Sequence, residues 1–168
     1  MSEIKNLKEN EFGEMEGEVY FNAINQNITV LFEKEVPMDY VEKQVEYLQA
    51  IDEKVIQKMC YYANLFKKEE MEDYPDKDYP EGMDKINNPL ELLDYFAIME
   101  LHIEMYANES VKEVRVLNLS GSCDWDEENG IQWLIKEDEV VYAGAYDDLS
   151  VWHSSYERNT LFNYALRN

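Results

Sequence analysis

Four carboxylates crowd into five residues at Asp124, Asp126, Glu127 and Glu128, and Asp147-Asp148 adds two more further on. Oxygen ligands at this density suit a hard divalent cation such as Ca²⁺. The spacing departs from an EF-hand loop, because glycine falls seventh from Asp124 rather than sixth and the twelfth residue is Ile135 rather than Glu. Hydrogen bonding within a turn accounts for Asp124 and Asp126, and solvation accounts for Glu127 and Glu128. A divalent-metal or acid–base site using Asp124, Asp126 and Glu128 is therefore the second reading of this turn. Paired carboxylates also serve glycosidases, but with 37 Asp and Glu among 168 residues such pairs arise from composition alone.

The other reactive side chains are few. His102 and His153 are the two histidines, and His102 stands between Glu100 and Glu104 on the polar face of a predicted strand, where it reads as a surface histidine rather than a base. Cys60 falls near the apolar stripe of a helix, where it reads as a small buried hydrophobe. Cys123 precedes Asp124, whose field disfavours a thiolate. The chain has no Gly-x-Ser-x-Gly, Gly-x-x-x-x-Gly-Lys, Gly-x-Gly-x-x-Gly or His-Glu-x-x-His, so familiar routes to acyl transfer, nucleotide binding and zinc hydrolysis have no anchor. No catalytic residue, metal or cofactor is expected.

Tyrosine is more informative. There are 13, and Tyr74 and Tyr79 lie in an acidic segment where no core demands them. Tyrosine is enriched where proteins meet partners. Tyr74, Asp76, Asp78 and Tyr79, with Asp126, Glu127 and Glu128 of the turn, are the residues expected to contact a partner.

Only 15 Lys and Arg offset the acidic residues, leaving a net charge of −22. Phosphate contacts need clustered basic side chains, so direct nucleic-acid binding is disfavoured, and the same charge opposes an anionic membrane surface. Hydrophobic residues at 45% set the chain apart from a disordered acidic tail. No apolar run of about 18 residues spans a bilayer, and no signal-peptide pattern opens the sequence. Two cysteines outside any Cys-x-x-Cys read as reduced thiols, so a cytoplasmic location is expected.

These residues must be positioned by elements that hydrophobic periodicity makes legible. Val19, Phe21 and Ala23, then Ile28, Val30 and Phe32, alternate around Asn25-Gln26-Asn27 and predict a β-hairpin. Asp39 and Glu42 form a capping-box pattern ahead of Val41, Val45, Leu48, Val55, Met59, Tyr62 and Phe66, which predict one helix of roughly seven turns. Residues from about 67 to 87, with Pro75, Pro80 and Gly82, read as a long solvated acidic loop. Asn88-Pro89 starts a short helix over Leu90 to Asp94. Alternation then predicts a strand from Ala97 to Tyr106 with Ala97, Met99, Leu101, Ile103 and Met105 on one face. Further strands follow at Val111 to Leu119, Ile131 to Ile135 and Val140 to Gly144. Ser154 to Glu157 caps a C-terminal helix presenting Leu161, Phe162, Ala165 and Leu166 to the sheet. The expected architecture is a single α+β domain over 1–168: an N-terminal β-hairpin, a long amphipathic helix, a four-stranded antiparallel meander and a C-terminal helix.

Cys123-Asp124-Trp125-Asp126-Glu127-Glu128-Asn129-Gly130-Ile131, followed by Lys136 to Gly144, resembles a family of largely bacterial domains of unknown function. Its members carry a Trp-Asp-Glu-Glu-His-Gly turn and a short hairpin ending in Val-x-x-x-Gly. The resemblance spans roughly residues 88–148, and Asn129 stands where the pattern has His, so no imidazole role carries over. Some members resemble proteins of toxin-associated gene neighbourhoods, which implies an immunity-like role. Charge and resemblance together lead to a non-enzymatic cytoplasmic binding module that masks a basic protein partner such as a toxin. A protein that imitates the charge of DNA is a further alternative.

Overall fold

The computed structural model describes residues 3–158 and 162–167. Seven strands, β1 (Lys5–Glu9), β2 (Glu14–Phe21), β3 (Gln26–Glu33), β4 (Phe96–Ile103), β5 (Val116–Cys123), β6 (Ile131–Lys136) and β7 (Glu139–Ala145), form one sheet in sequential order. Among the described residues three α-helices accompany it: α1 (Met38–Gln49), α2 (Glu53–Asp73) and the four-residue α3 (Ser155–Arg158). The class is α+β, as expected. The expected four-stranded meander is instead the second half of a larger sheet, because β3 and β4 pair in parallel with Thr29 opposite Glu100 and Phe32 opposite Ile103. All other neighbours are antiparallel.

The predicted hairpin is β2–β3, with Asn25 in the left-handed conformation at the turn. Val19, Phe21, Ile28, Val30 and Phe32 point into the core. β1 escapes periodicity because all five of its residues are exposed, and a bulge between Lys5 and Lys8 interrupts its pairing.

The single long helix is two. α1 starts after Pro37 without a side-chain cap, and Asp39 accepts only from the adjacent Tyr40 N–H, at 2.9 Å. The chain then turns at Ala50–Asp52, where extended Asp52 caps α2 by accepting from Lys54 N–H at 2.9 Å. Leu48 and Val55 are seven residues apart and stay in phase whether or not the helix is broken, so the stripe conceals the break.

α2 also runs past its apolar stripe to Asp73, so the connecting segment begins at Tyr74 rather than Lys67. Lys67 is buried and donates to Met83 O at 2.7 Å, and Met83 is itself wholly buried. The segment is packed down rather than solvated throughout. Asn88 does cap the next turn, accepting from Leu90 N–H at 3.1 Å, but Pro89–Asp94 is a 3₁₀ helix.

In β4 the inward face follows the expected alternation at Leu101 and Ile103 but not before the bulge. Ile98 pairs with Gly121 and Glu100 with Ser120, so Met99 is an extra residue that switches the faces. Ile98, Leu101 and Ile103 are buried while Met99 is exposed. β5 begins five residues later than expected, and Glu109–Val111 is a 3₁₀ turn capped by Asn108.

One face of the sheet packs against α1 and α2, with Trp133 Nε1 donating to Met59 O at 3.1 Å. Over β5–β7 the opposite face is covered by Val151 and Tyr156 on Leu134 and Tyr142. Gln132 secures that cover by accepting from the N–H groups of Asp147 and Leu149 and donating to Leu149 O. Of the expected C-terminal helix, the described residues form α3 and a 3₁₀ turn at Tyr164–Leu166. Ala165 is half-buried, but Phe162 and Leu166 are exposed and Leu161 lies outside the described residues. Among the described residues no helix is long and apolar enough to cross a membrane.

Candidate functional site

The acidic turn between β5 and β6 is built around Asp126. Its main-chain oxygen accepts from Gly130 N–H at 3.0 Å, and Gly130 takes a φ of +72°. The side chain of Asn129 donates from Nδ2 to both Asp126 carboxylate oxygens, at 3.1 and 3.0 Å. Asp126 is 6% exposed. It shapes the turn and offers little carboxylate surface, unlike Asp124, Glu127 and Glu128, which are exposed. Partial burial, then the neighbouring Glu127 charge, raises the Asp124 pKa. Trp125 is wholly buried, edge-on to Phe66 and Phe96, and anchors the turn to the core. Asp126→Ala removes the acceptor for Asn129 from a buried position and is expected to cost about 2 kcal/mol, read as a lowered midpoint in chemical denaturation.

The other predicted residues lie on the segment after α2. Tyr74 is 55% exposed, and Asp76 and Asp78 are exposed on either side of Lys77. Lys77 Nζ donates to Trp125 O at 3.0 Å and approaches the Glu70 carboxylate at 3.4 Å. The two segments singled out separately in the sequence are therefore neighbours, joined through this lysine. Tyr79 is half-buried, its hydroxyl donating to Tyr74 O at 2.8 Å and Glu70 O at 3.2 Å. Desolvation works against the Lys77 charge, but Glu70, through its hydrogen bond and its charge, outweighs it and raises the pKa. Burial, then Asp126, raises the pKa of Glu70, while Lys77 opposes the shift.

Sequence reasoning missed Lys77 and Glu70. The available signal was that Lys77 is the single basic residue between Asp73 and Glu81. It also missed a shallow hollow of about 380 Å³ where Glu127 and Glu128 meet Met99, Glu100 and Tyr146 on the uncovered face of the sheet. Burial, then the charges of Glu14 and Glu16, raises the Glu100 pKa against the opposing effect of His102. Tyr146 donates to Asp148 at 3.2 Å, and burial and that carboxylate push its pKa up to about 12. The acidic turn thus faces loop residues on one side and an acidic sheet surface on the other.

Cys60 and Cys123 are buried, and desolvation pushes both thiols up to about 12. Among the described residues no group of three or more His, Cys, Asp and Glu side chains is placed to hold a metal ion. A larger cavity of about 810 Å³ lies beside the start of α2, between Lys54, Lys58, Tyr61 and Leu90, and contains none of the predicted residues.

A family model described as a domain of unknown function (DUF6985) matches residues 3–151, well beyond the 88–148 of the turn resemblance. No curated protein and no solved structure matches the chain.

Proposed function

Because the chain belongs to the DUF6985 family, a domain of unknown function, its role must be argued from its own surface, and we propose that it is a non-enzymatic module that binds a basic protein partner. One observation carries this reading: the Lys77 bridge sets exposed Tyr74, Asp76 and Asp78 beside the turn that displays Asp124, Glu127 and Glu128. An aromatic anchor beside uncompensated carboxylates suits a lysine- or arginine-rich surface, with the carboxylates steering encounter and the ring holding contact. The net charge of −22 extends that field over the molecule. An immunity-like protein of the bacterial cytoplasm, masking a basic toxin such as a nuclease, has these requirements. Engagement of both Asp126 oxygens by Asn129 favours this reading over chelation at the turn.

The test is co-purification from the source cell's lysate, together with the products of neighbouring genes, at low and moderate salt. A stoichiometric basic partner is expected. Changing Asp76, Asp78, Glu127 and Glu128 to Lys shifts the charge by two at each position, from −22 to −14. That variant should slow association by roughly 100-fold at low salt. Retention of the partner by the variant, or absence of any basic partner at both salt concentrations, overturns the proposal.

A further inference from the structure

Lys77 occupies a receptor made jointly by its own segment, the end of α2 and the acidic turn. Its ammonium lies 5.5 Å from the Tyr74 ring centroid and 5.8 Å from that of Tyr79, within cation–π range. Trp125 O at 3.0 Å and the Glu70 carboxylate at 3.4 Å complete the surround. Three of the four walls are anchored. Glu70 belongs to α2, Trp125 is locked in the core, and the Tyr79 hydroxyl is fixed by two carbonyl oxygens. The occupant shares the segment between Pro75 and Pro80 with Tyr79, but its side chain is 44% exposed and its ammonium reaches Glu70 only at 3.4 Å.

The geometry points to a recognition pocket for a lysine or arginine side chain of a partner, with Lys77 filling it as an internal surrogate when the protein is free. This inference rests on the proposed binding of a basic protein and adds the point at which one cationic side chain is read. Aromatic faces, one carboxylate and one carbonyl form a receptor for a cation at the end of an alkyl chain. Occupation by Lys77 lowers the fraction of molecules ready to bind, so a ligand must displace it. Weak or isolated cations are thereby rejected, while a partner that also engages the surrounding carboxylates can compete.

The probe is an amidated tetralysine peptide, titrated while the tyrosine-ring and glutamate-carboxylate NMR signals are followed. Lys77→Gln empties the pocket and should bind the peptide roughly 10-fold more tightly than the unaltered protein, with shifts centred on Tyr74, Tyr79 and Glu70. Lys77→Arg refills it and should restore the weaker binding. Adding Glu70→Gln to Lys77→Gln should abolish the gain. Equal affinities for the unaltered protein and Lys77→Gln, with shifts spread over the acidic surface, overturn the pocket but leave the basic-partner reading standing. Loss of the native Tyr79 signals in Lys77→Gln identifies Lys77 as a structural staple and also overturns the pocket. Failure of the peptide to bind either form counts against both.

Discussion

Gly121→Ala is expected to lower stability by about 3 kcal/mol or more and to disorganise the acidic turn with it. A Cβ at this position would overlap the carbonyl oxygen of Ala97 and stand 2.8 Å from its carbon and 3.0 Å from Ile98 Cα. These are backbone atoms of β4, so no rotamer change relieves the overlap. The approach occurs next to the Met99 bulge, where β4 bends across β5. Gly130 closes the turn from its other end, and a Cβ there would lie 2.5 Å from Gly121 O. Gly121 thus lets β5 approach the strand that supplies Glu100 and Met99, and Gly130 lets the acidic turn close against β5. Gly13→Ala is the converse case, because Gly13 has a positive φ, +81°, which Gly121 lacks, and nothing within 4 Å of a new Cβ. It should cost only about 1 kcal/mol. Denaturant midpoints for the two variants separate overlap from backbone conformation; equal small losses would show that β4 can move away.

That bulge also marks where periodicity stops being informative. Alternation found β2, β3, β6 and β7 because each has a buried face and a more exposed or separately covered one. In β4 the same rule assigned Met99 to the core, since an inserted residue leaves no trace in the order of apolar and polar types. β1 had no apolar alternation to detect, and the helix break preserved the stripe's phase. Lys67 read as the start of a solvated loop because its type argues for exposure; Met83 O, sixteen residues on, supplies the partner that permits burial. The candidate site was legible in part for the same physical reason. Side-chain chemistry identified Tyr74, Tyr79 and the carboxylates, but the group joining them to the turn is the main-chain oxygen of Trp125, which residue types cannot reveal. Asp126 was grouped with Glu127 and Glu128 by charge. The fold separates them, because Asn129 satisfies a buried carboxylate and leaves the other two in solvent.

Asn163→Leu is expected to cost about 4 kcal/mol and to promote self-association, although residue 163 lies beyond the 3–151 matched by the family model. β7 is an edge strand, and its outward N–H and C=O groups need a partner or a cover. Asn163, wholly buried, supplies one. Its Oδ1 accepts from Ala143 N–H at 3.2 Å and Ala165 N–H at 3.0 Å, while Nδ2 donates to Val141 O at 2.8 Å and Tyr156 O at 2.9 Å. One side-chain amide imitates a neighbouring strand across β7 and fixes the C-terminal segment. Leucine has similar volume but can make none of these bonds, so two groups of β7, one of α3 and one of the 3₁₀ turn lose their partners together. The segment also stacks Tyr164 on Phe66 at 5.1 Å and pairs Arg167 with Glu69, the residue preceding Glu70. Releasing it should therefore loosen the end of α2 that carries one wall of the Lys77 receptor. Denaturation midpoints measure the first effect and light scattering over a concentration series the second. A large stability loss in a strictly monomeric variant would mean that Asn163 anchors the segment without guarding the edge, whereas an unchanged midpoint would remove both roles.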